Sequence, residues 1–150
     1  MYSMFIGYAM YYFTRKSFVF TMPALMSSLG FLKTDMGIVT SVFAITYGIS
    51  KFLSGILADR SNPRFFMAVG LMLTGVCNIC FAYSGTLGFS ASVTLMLFSV
   101  CWGFNGLFQG FGAPPCAYFM TKWYSQSERG SWWSIWNLSH NVGAMLIPFI

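Results

Sequence analysis

The stretch YSMFIGYAMYYFTRKSFVFTMPALMSSL, Tyr2–Leu29, decides how this chain is read. It has the length and apolar character to cross a membrane, which takes roughly 20 mostly apolar residues. Yet Arg15 and Lys16 stand near its middle. At about 1.5 Å rise per residue, Arg15 lies roughly 20 Å from either end of the stretch, too far for its head to snorkel easily to water. A cation at the centre of a spanning helix costs about 2.5–3.5 kcal/mol on insertion scales. The stretch holds no carboxylate to offset either cation. The alternative is a loop at 15–16, but it would leave 17–32 as a segment of apolar and small residues too short to span. The helical reading therefore calls for a polar cavity inside the bilayer and an anion that visits it.

Composition supports a membrane setting. Of 150 residues, 57% are hydrophobic and 7% charged, against about 25% charged in a soluble domain. The 20% aromatic content suits helix packing and interfacial belts. Eight Lys and Arg against three acids make the chain basic, but the cations are scattered through apolar sequence and form no hydrophilic basic face, so no nucleic-acid partner is expected. Cys77 and Cys80 form a CxxC without the second pair that a zinc site wants, and with Cys101 and Cys116 they read as packing residues. Neither a metal nor a cofactor is expected. No nucleophile–base pair or paired carboxylate stands out, so an enzyme is not expected either. The first residues lack the charged segment and cleavage site of a signal peptide. The sequon at Asn137–Ser139 lies in sequence that reads as membrane helix.

Four further spans follow the first, at about 36–58, 65–83, 91–120 (broken near Pro114-Pro115) and from 131, with the fifth still running at 150. The connections are short, so neighbouring helices are antiparallel and adjacent. The expected fold class is all-α membrane, one unit over 1–150 with about five transmembrane helices. One side carries Arg60, Arg64, Lys122 and Arg129, the other only Lys33 beside Asp35. The positive-inside rule makes the first side, and with it the amino terminus, cytoplasmic. An odd number of helices with an unfinished fifth makes a poor closed bundle, so the chain reads as a piece of a longer protein.

Helical spacing groups the polar residues. Tyr8, Tyr12 and Arg15 share one face of the first helix, and Tyr47 and Lys51 are an i, i+4 pair on the second. Phenol hydroxyls donate to phosphate oxygens, and Arg grips them with two N–H groups at once. Lys51, about two turns from the cytoplasmic end of its helix, is either part of that site or a snorkelling cation. Trp133, Asn137 and His140 follow i, i+4, i+7 on the fifth helix. His140 is either a site residue or simply hydrogen-bonded to a neighbour. Gly106 and Gly110 form a GxxxG, which permits close helix approach in lipid. Gln109, among these glycines, either lines the cavity or bridges two helices.

Several motifs carry a family resemblance. GILADRSNPR, Gly55 to Arg64, resembles the cytoplasmic loop signature of the major facilitator superfamily. GYAMYYFTRKSF, TYGISKFLSG, FQGFGAPPC, WYSQSERG and WNLSHNVG, in this order and across nearly the whole chain, resemble its organophosphate:phosphate antiporter family. MYSMF, WYS, SWWSIWN and Ala113 before the double proline look closest to the bacterial hexose-phosphate (UhpC-like) members. Glycerol-phosphate members typically have Trp at the position of Ala113.

The resemblance implies twelve helices in two halves, with this chain the amino-terminal part, an incomplete half, and the carboxy-terminal half absent. It implies exchange of a sugar phosphate, such as glucose 6-phosphate, for inorganic phosphate across a bacterial inner membrane, or sensing of external hexose phosphate with the same pocket. Phosphate is bound by an arginine from each half, Arg15 here, with Tyr8, Tyr12, Lys16, Tyr47, Lys51, Asn137 and His140 as further site positions. Gly55, Asp59, Arg60 and Arg64 are implied to form a conformational charge relay at the cytoplasmic loop. A carrier of unrelated cargo, such as drugs or sugars, is the competing reading, and it would need no paired cations.

Overall fold

A computed structural model describes residues 2–149, apart from the side chains of Asp59 and Phe149. The described residues form helices α1 (Tyr2–Leu29), α2 (Lys33–Arg60), α3 (Pro63–Ser84), α4 (Ala91–Gln109), α5 (Ala113–Trp123) and α6 (Gln126–Met145), followed by a 3-10 turn at Ile147–Phe149. The helix α1 keeps Arg15, Lys16 and Pro23 inside one unbroken element, so the loop alternative at 15–16 falls.

The ends of the helices follow from local chemistry. Gly30 takes φ 68° just past α1, the left-handed conformation that closes a helix at no Cβ cost. Asp35 accepts the Leu32 N–H at 2.9 Å at the start of α2. Asn62 caps α3 by accepting the Arg64 N–H at 3.2 Å, with Pro63 in the first turn where no N–H is needed. At the start of α6 the Glu128 carboxylate accepts both the Ser125 hydroxyl, at 2.7 Å, and the Ser125 N–H, at 3.3 Å.

Three boundaries differ from expectation. The fifth leg starts at Gln126, five residues before 131, because Ser125 and Glu128 cap it there. The interruption of the fourth leg falls at 110–112, before the prolines, because Pro114 and Pro115 sit in the first turn of α5, which tolerates them, and the glycines take the break. The fifth leg does not stay α-helical to the end of the described residues. Its α-helix stops at Met145, three residues before Pro148, which has no N–H to donate, and the 3-10 turn follows; residue 150 lies outside the described residues.

With α4 and α5 forming one interrupted leg, the chain has the five expected legs. Three are long and apolar enough to cross a membrane: Lys33–Ala58, Pro63–Ser84 and Ala91–Trp123. The other two, α1 and α6, are more polar, and they pack on each other. The main seams are α2 on α4, α3 on α4 and α1 on α6. Small residues set the close ones. Val42, Thr46 and Ser50 of α2 lie against Gly103 and Gly106 of α4 and Gly110 just past its end, and the backbone of Ala9 lies against Gly143 of α6. Side chains that water would not leave bare, including Phe52, Phe65, Met72, Ile79 and Met96, cover the outside.

Two apolar clusters form the core. One contains Phe18, Phe31, Met36, Val39, Phe43, Phe81, Phe98 and Trp102, the other Met4, Tyr8, Tyr11, Met67, Cys116, Met120 and Trp136. A polar layer lies between them along α1. Gln109 donates to the Tyr11 carbonyl at 3.0 Å and to the Thr14 hydroxyl at 3.1 Å, so it bridges α4 to α1. Ser50 donates to the Leu107 carbonyl, and Ser54 to that of Gly110 at 2.9 Å, which occupies carbonyls near the α4–α5 break. The four cysteines are free, with Cys77 and Cys116 buried.

Candidate functional site

Arg15 lies one turn before Phe18, at the level of this polar layer, and is half-buried. Its guanidinium carbon stands over three rings, 4.7 Å from the centroid of Tyr47, 5.0 Å from Phe43 and 5.7 Å from Tyr12. The Lys51 ammonium lies 4.7 Å from the same Tyr47 ring. On the far side, Tyr12 stacks on His140 at 4.7 Å and 26°. Tyr8 stands 5.5 Å from Tyr12, 5.9 Å from His140 and 4.5 Å from Trp136. A run of alternating cations and rings thus passes from α2 through α1 to α6.

The local folding reasons are plain. Residues 43, 47 and 51 repeat every fourth position on α2, and 8, 12 and 15 share one face of α1. The Gly143 approach to Ala9 holds α6 close enough for His140 to reach Tyr12.

The electrostatics are unusual for a half-buried arginine. The two carboxylates whose side chains are described, Asp35 and Glu128, are both engaged at helix starts. Each lies twelve residues from the cluster on its own helix, about 18 Å along the axis from Tyr47 and His140 respectively. Ring faces therefore hold Arg15. Each such contact contributes about 0.5–1 kcal/mol when exposed and about 2 kcal/mol when desolvated, without cancelling the charge. His140 adds a ring nitrogen, Nδ1, that is buried without a hydrogen-bond partner among the described residues, as is Nε1 of Trp136.

The structure brings together six of the eight predicted binding residues: Tyr8, Tyr12, Arg15, Tyr47, Lys51 and His140. Lys16 and Asn137 are exposed and stand outside the stacked cluster. Lys16 is turned about 100° round α1 from Arg15. On α6 the buried stripe is Trp136, Ser139 and Gly143, which puts Trp136 rather than Asn137 against α1. Sequence reasoning missed Phe43 and Trp136. Phe43 was detectable as the residue one turn before Tyr47.

In the loop motif, Gly55 is half-buried, and Arg60 and Arg64 are exposed. The Asp59 side chain lies outside the described residues. Arg64 edges a concavity of about 610 Å³ between α1, α3 and α5, and a second of about 1000 Å³ lies between α1 and α2 near Pro23 and Lys33. Neither is lined by Arg15.

Comparison with known proteins places this architecture. The chain is 56% identical over 149 residues to a probable hexose phosphate transport protein of Chlamydia trachomatis, covering 99% of this chain and 31% of the relative. It is 51% identical over 145 residues to the membrane sensor protein UhpC of Salmonella typhimurium, covering 97% and 31%. It is 46% identical over 147 residues to the glycerol-3-phosphate transporter of Bacillus subtilis, covering 97% and 32%. The chain thus spans about a third of the length of these relatives. No solved structure matches it. The sequence profile of the Major Facilitator Superfamily matches residues 4–150, and the chain belongs to this superfamily, a family of multi-pass membrane transporters.

Proposed function

We propose that this chain is the amino-terminal part of a two-half secondary carrier that exchanges a sugar phosphate, hexose 6-phosphate foremost, for inorganic phosphate across a bacterial inner membrane. The observation that carries this reading is Arg15, half-buried at mid-helix and held on ring faces, with no carboxylate partner among the described residues. Its charge is left for a guest. The relatives named for hexose phosphate and glycerol 3-phosphate supply the class of that guest. The carboxy-terminal half would complete the site with a cation opposite Arg15.

The mechanism follows from charge. Two cations facing each other across an empty cleft repel and hold the halves apart. A phosphate dianion between them reverses the sign of the interaction and draws the halves together, which lowers the barrier to rocking. Exchange results, because the empty carrier reorients slowly. Tyr8, Tyr12, Tyr47, Lys51 and His140 shape the pocket, with Lys16 and Asn137 at its margin. Gly55, Asp59, Arg60 and Arg64 act at the cytoplasmic loop as the conformational relay.

The test uses the complete carrier in proteoliposomes. Arg15→Ala should abolish phosphate exchange, and Arg15→Lys should impair it because the planar fork is lost. Exchange by Arg15→Ala at the parent rate overturns the assignment. Similarity to the sensor UhpC favours a second reading, a membrane sensor of external hexose phosphate using the same pocket. Hexose-phosphate uptake conferred on a cell that lacks its own carrier selects transport. Binding without uptake selects sensing.

A further inference from the structure

We propose that Phe43 is a positioning residue for the anion-binding guanidinium, acting through the face of its ring. This rests on the reading of Arg15 as the anion site. Three rings surround Arg15, and two of them, Tyr12 and Tyr47, carry hydroxyls that can bind an anion directly. Phe43 has none, so only its face is available, and the guanidinium carbon lies 5.0 Å from its centroid, inside the roughly 6 Å reach of a cation–π contact. A guanidinium held by its flat face keeps its N–H donors free at its edge, where a phosphate takes two at once. The ring contact and the anion contact therefore coexist. Phe43 fixes the rotamer of Arg15 before the anion arrives, and the affinity scales with the fraction of carriers in that rotamer.

Phe43 is itself held fast. It is buried, its ring lies 5.6 Å from Trp102 and 5.8 Å from Tyr47, and its carbonyl lies where a methyl added at Gly106 would meet it at 2.7 Å. The close α2–α4 seam thus delivers a fixed ring to Arg15. Phe43 also belongs to an apolar cluster, and filling that cluster requires only its shape. Positioning Arg15 requires the electron-rich face. Fluorine withdraws that density while nearly keeping the shape, so the two roles separate experimentally.

In the complete carrier, Phe43 is replaced by mono-, di- and trifluorophenylalanine through nonsense suppression, and half-saturation by inorganic phosphate is measured in proteoliposomes alongside the melting temperature. Phosphate affinity should fall stepwise, by about fivefold at three fluorines, the equivalent of about 1 kcal/mol, with the melting temperature held. Fluorinating Trp102, which faces Phe43 and not Arg15, should leave the affinity unchanged. A flat affinity series, with Arg15→Ala still inactive, overturns the role of Phe43 and spares the anion site. Parent-rate exchange by Arg15→Ala overturns the site and this role with it.

Discussion

Gly106→Ala should destabilise the bundle and weaken anion binding together. A Cβ at Gly106 would stand 2.7 Å from the Phe43 carbonyl oxygen and 3.3 Å from its ring carbon Cδ2, and would overlap the Thr46 hydroxyl. Carbon contacts are comfortable at about 3.5 Å or more, so α2 and α4 must part by about half an ångström or more. The nearest fixed atom is backbone, which cannot swing aside as a side-chain end does. Overpacking of this kind costs about 1–3 kcal/mol. Against it stands about 1 kcal/mol of helix propensity gained on replacing glycine, for a net loss of up to about 2 kcal/mol. Gly75→Ala on α3 is the matched control, because nothing lies within 4 Å of its added methyl. It should be neutral or slightly stabilising. Thermal unfolding of the complete carrier in detergent reads both. Phosphate half-saturation should rise in Gly106→Ala alone, since the shift displaces Phe43 beneath Arg15. Gly106→Ala melting at or above the parent with unchanged affinity would refute the claim that this seam positions the site.

Other perturbations test separate links. Gln109→Leu removes two hydrogen bonds between α4 and α1; at about 0.6 kcal/mol for each polar contact within a membrane, unfolding should show a loss of about 1 kcal/mol. Arg129 donates to the carbonyls of Thr121, at 2.8 Å, and Tyr124, at 3.0 Å, closing the α5–α6 turn. Arg129→Met should cost about 1–3 kcal/mol by the same measurement, and Arg129→Lys should recover only part of it because one ammonium cannot span both oxygens as the fork does. Lys51→Met should raise the phosphate half-saturation more than Lys16→Met does, because Lys51 stands over Tyr47 and Lys16 lies outside the cluster. The opposite order in transport assays would move the cation site to the other face of α1.

What the sequence made legible was whatever carried a large local cost or a strict local preference. Arg15 was visible because an unpaired cation at mid-helix is expensive wherever the neighbouring helices lie. Helix starts were read late, by two residues at Pro63 and five at Gln126, although Asn62 and Ser125 cap them by chemistry between residues two or three apart. What stayed hidden depends on which helix faces which. Phe43 and Phe52 stand on the same helix with the same side chain, yet one is 4% exposed and the other 82%. Only the approach of Gly106 and Trp102 makes the first a partner of Arg15, and the second faces outward. Gly75 and Gly106 differ in the same way, one facing open space and the other a backbone carbonyl. Trp136 was not picked out from spacing, because the stripe that α6 buries is fixed by where Gly143 meets Ala9. A spacing rule gives faces relative to one another on a single helix. The absolute rotation of each helix is set by where small residues let backbones touch, so contact sites such as Gly106 and Gly143 decide which of several equivalent aromatics join the Arg15 cluster.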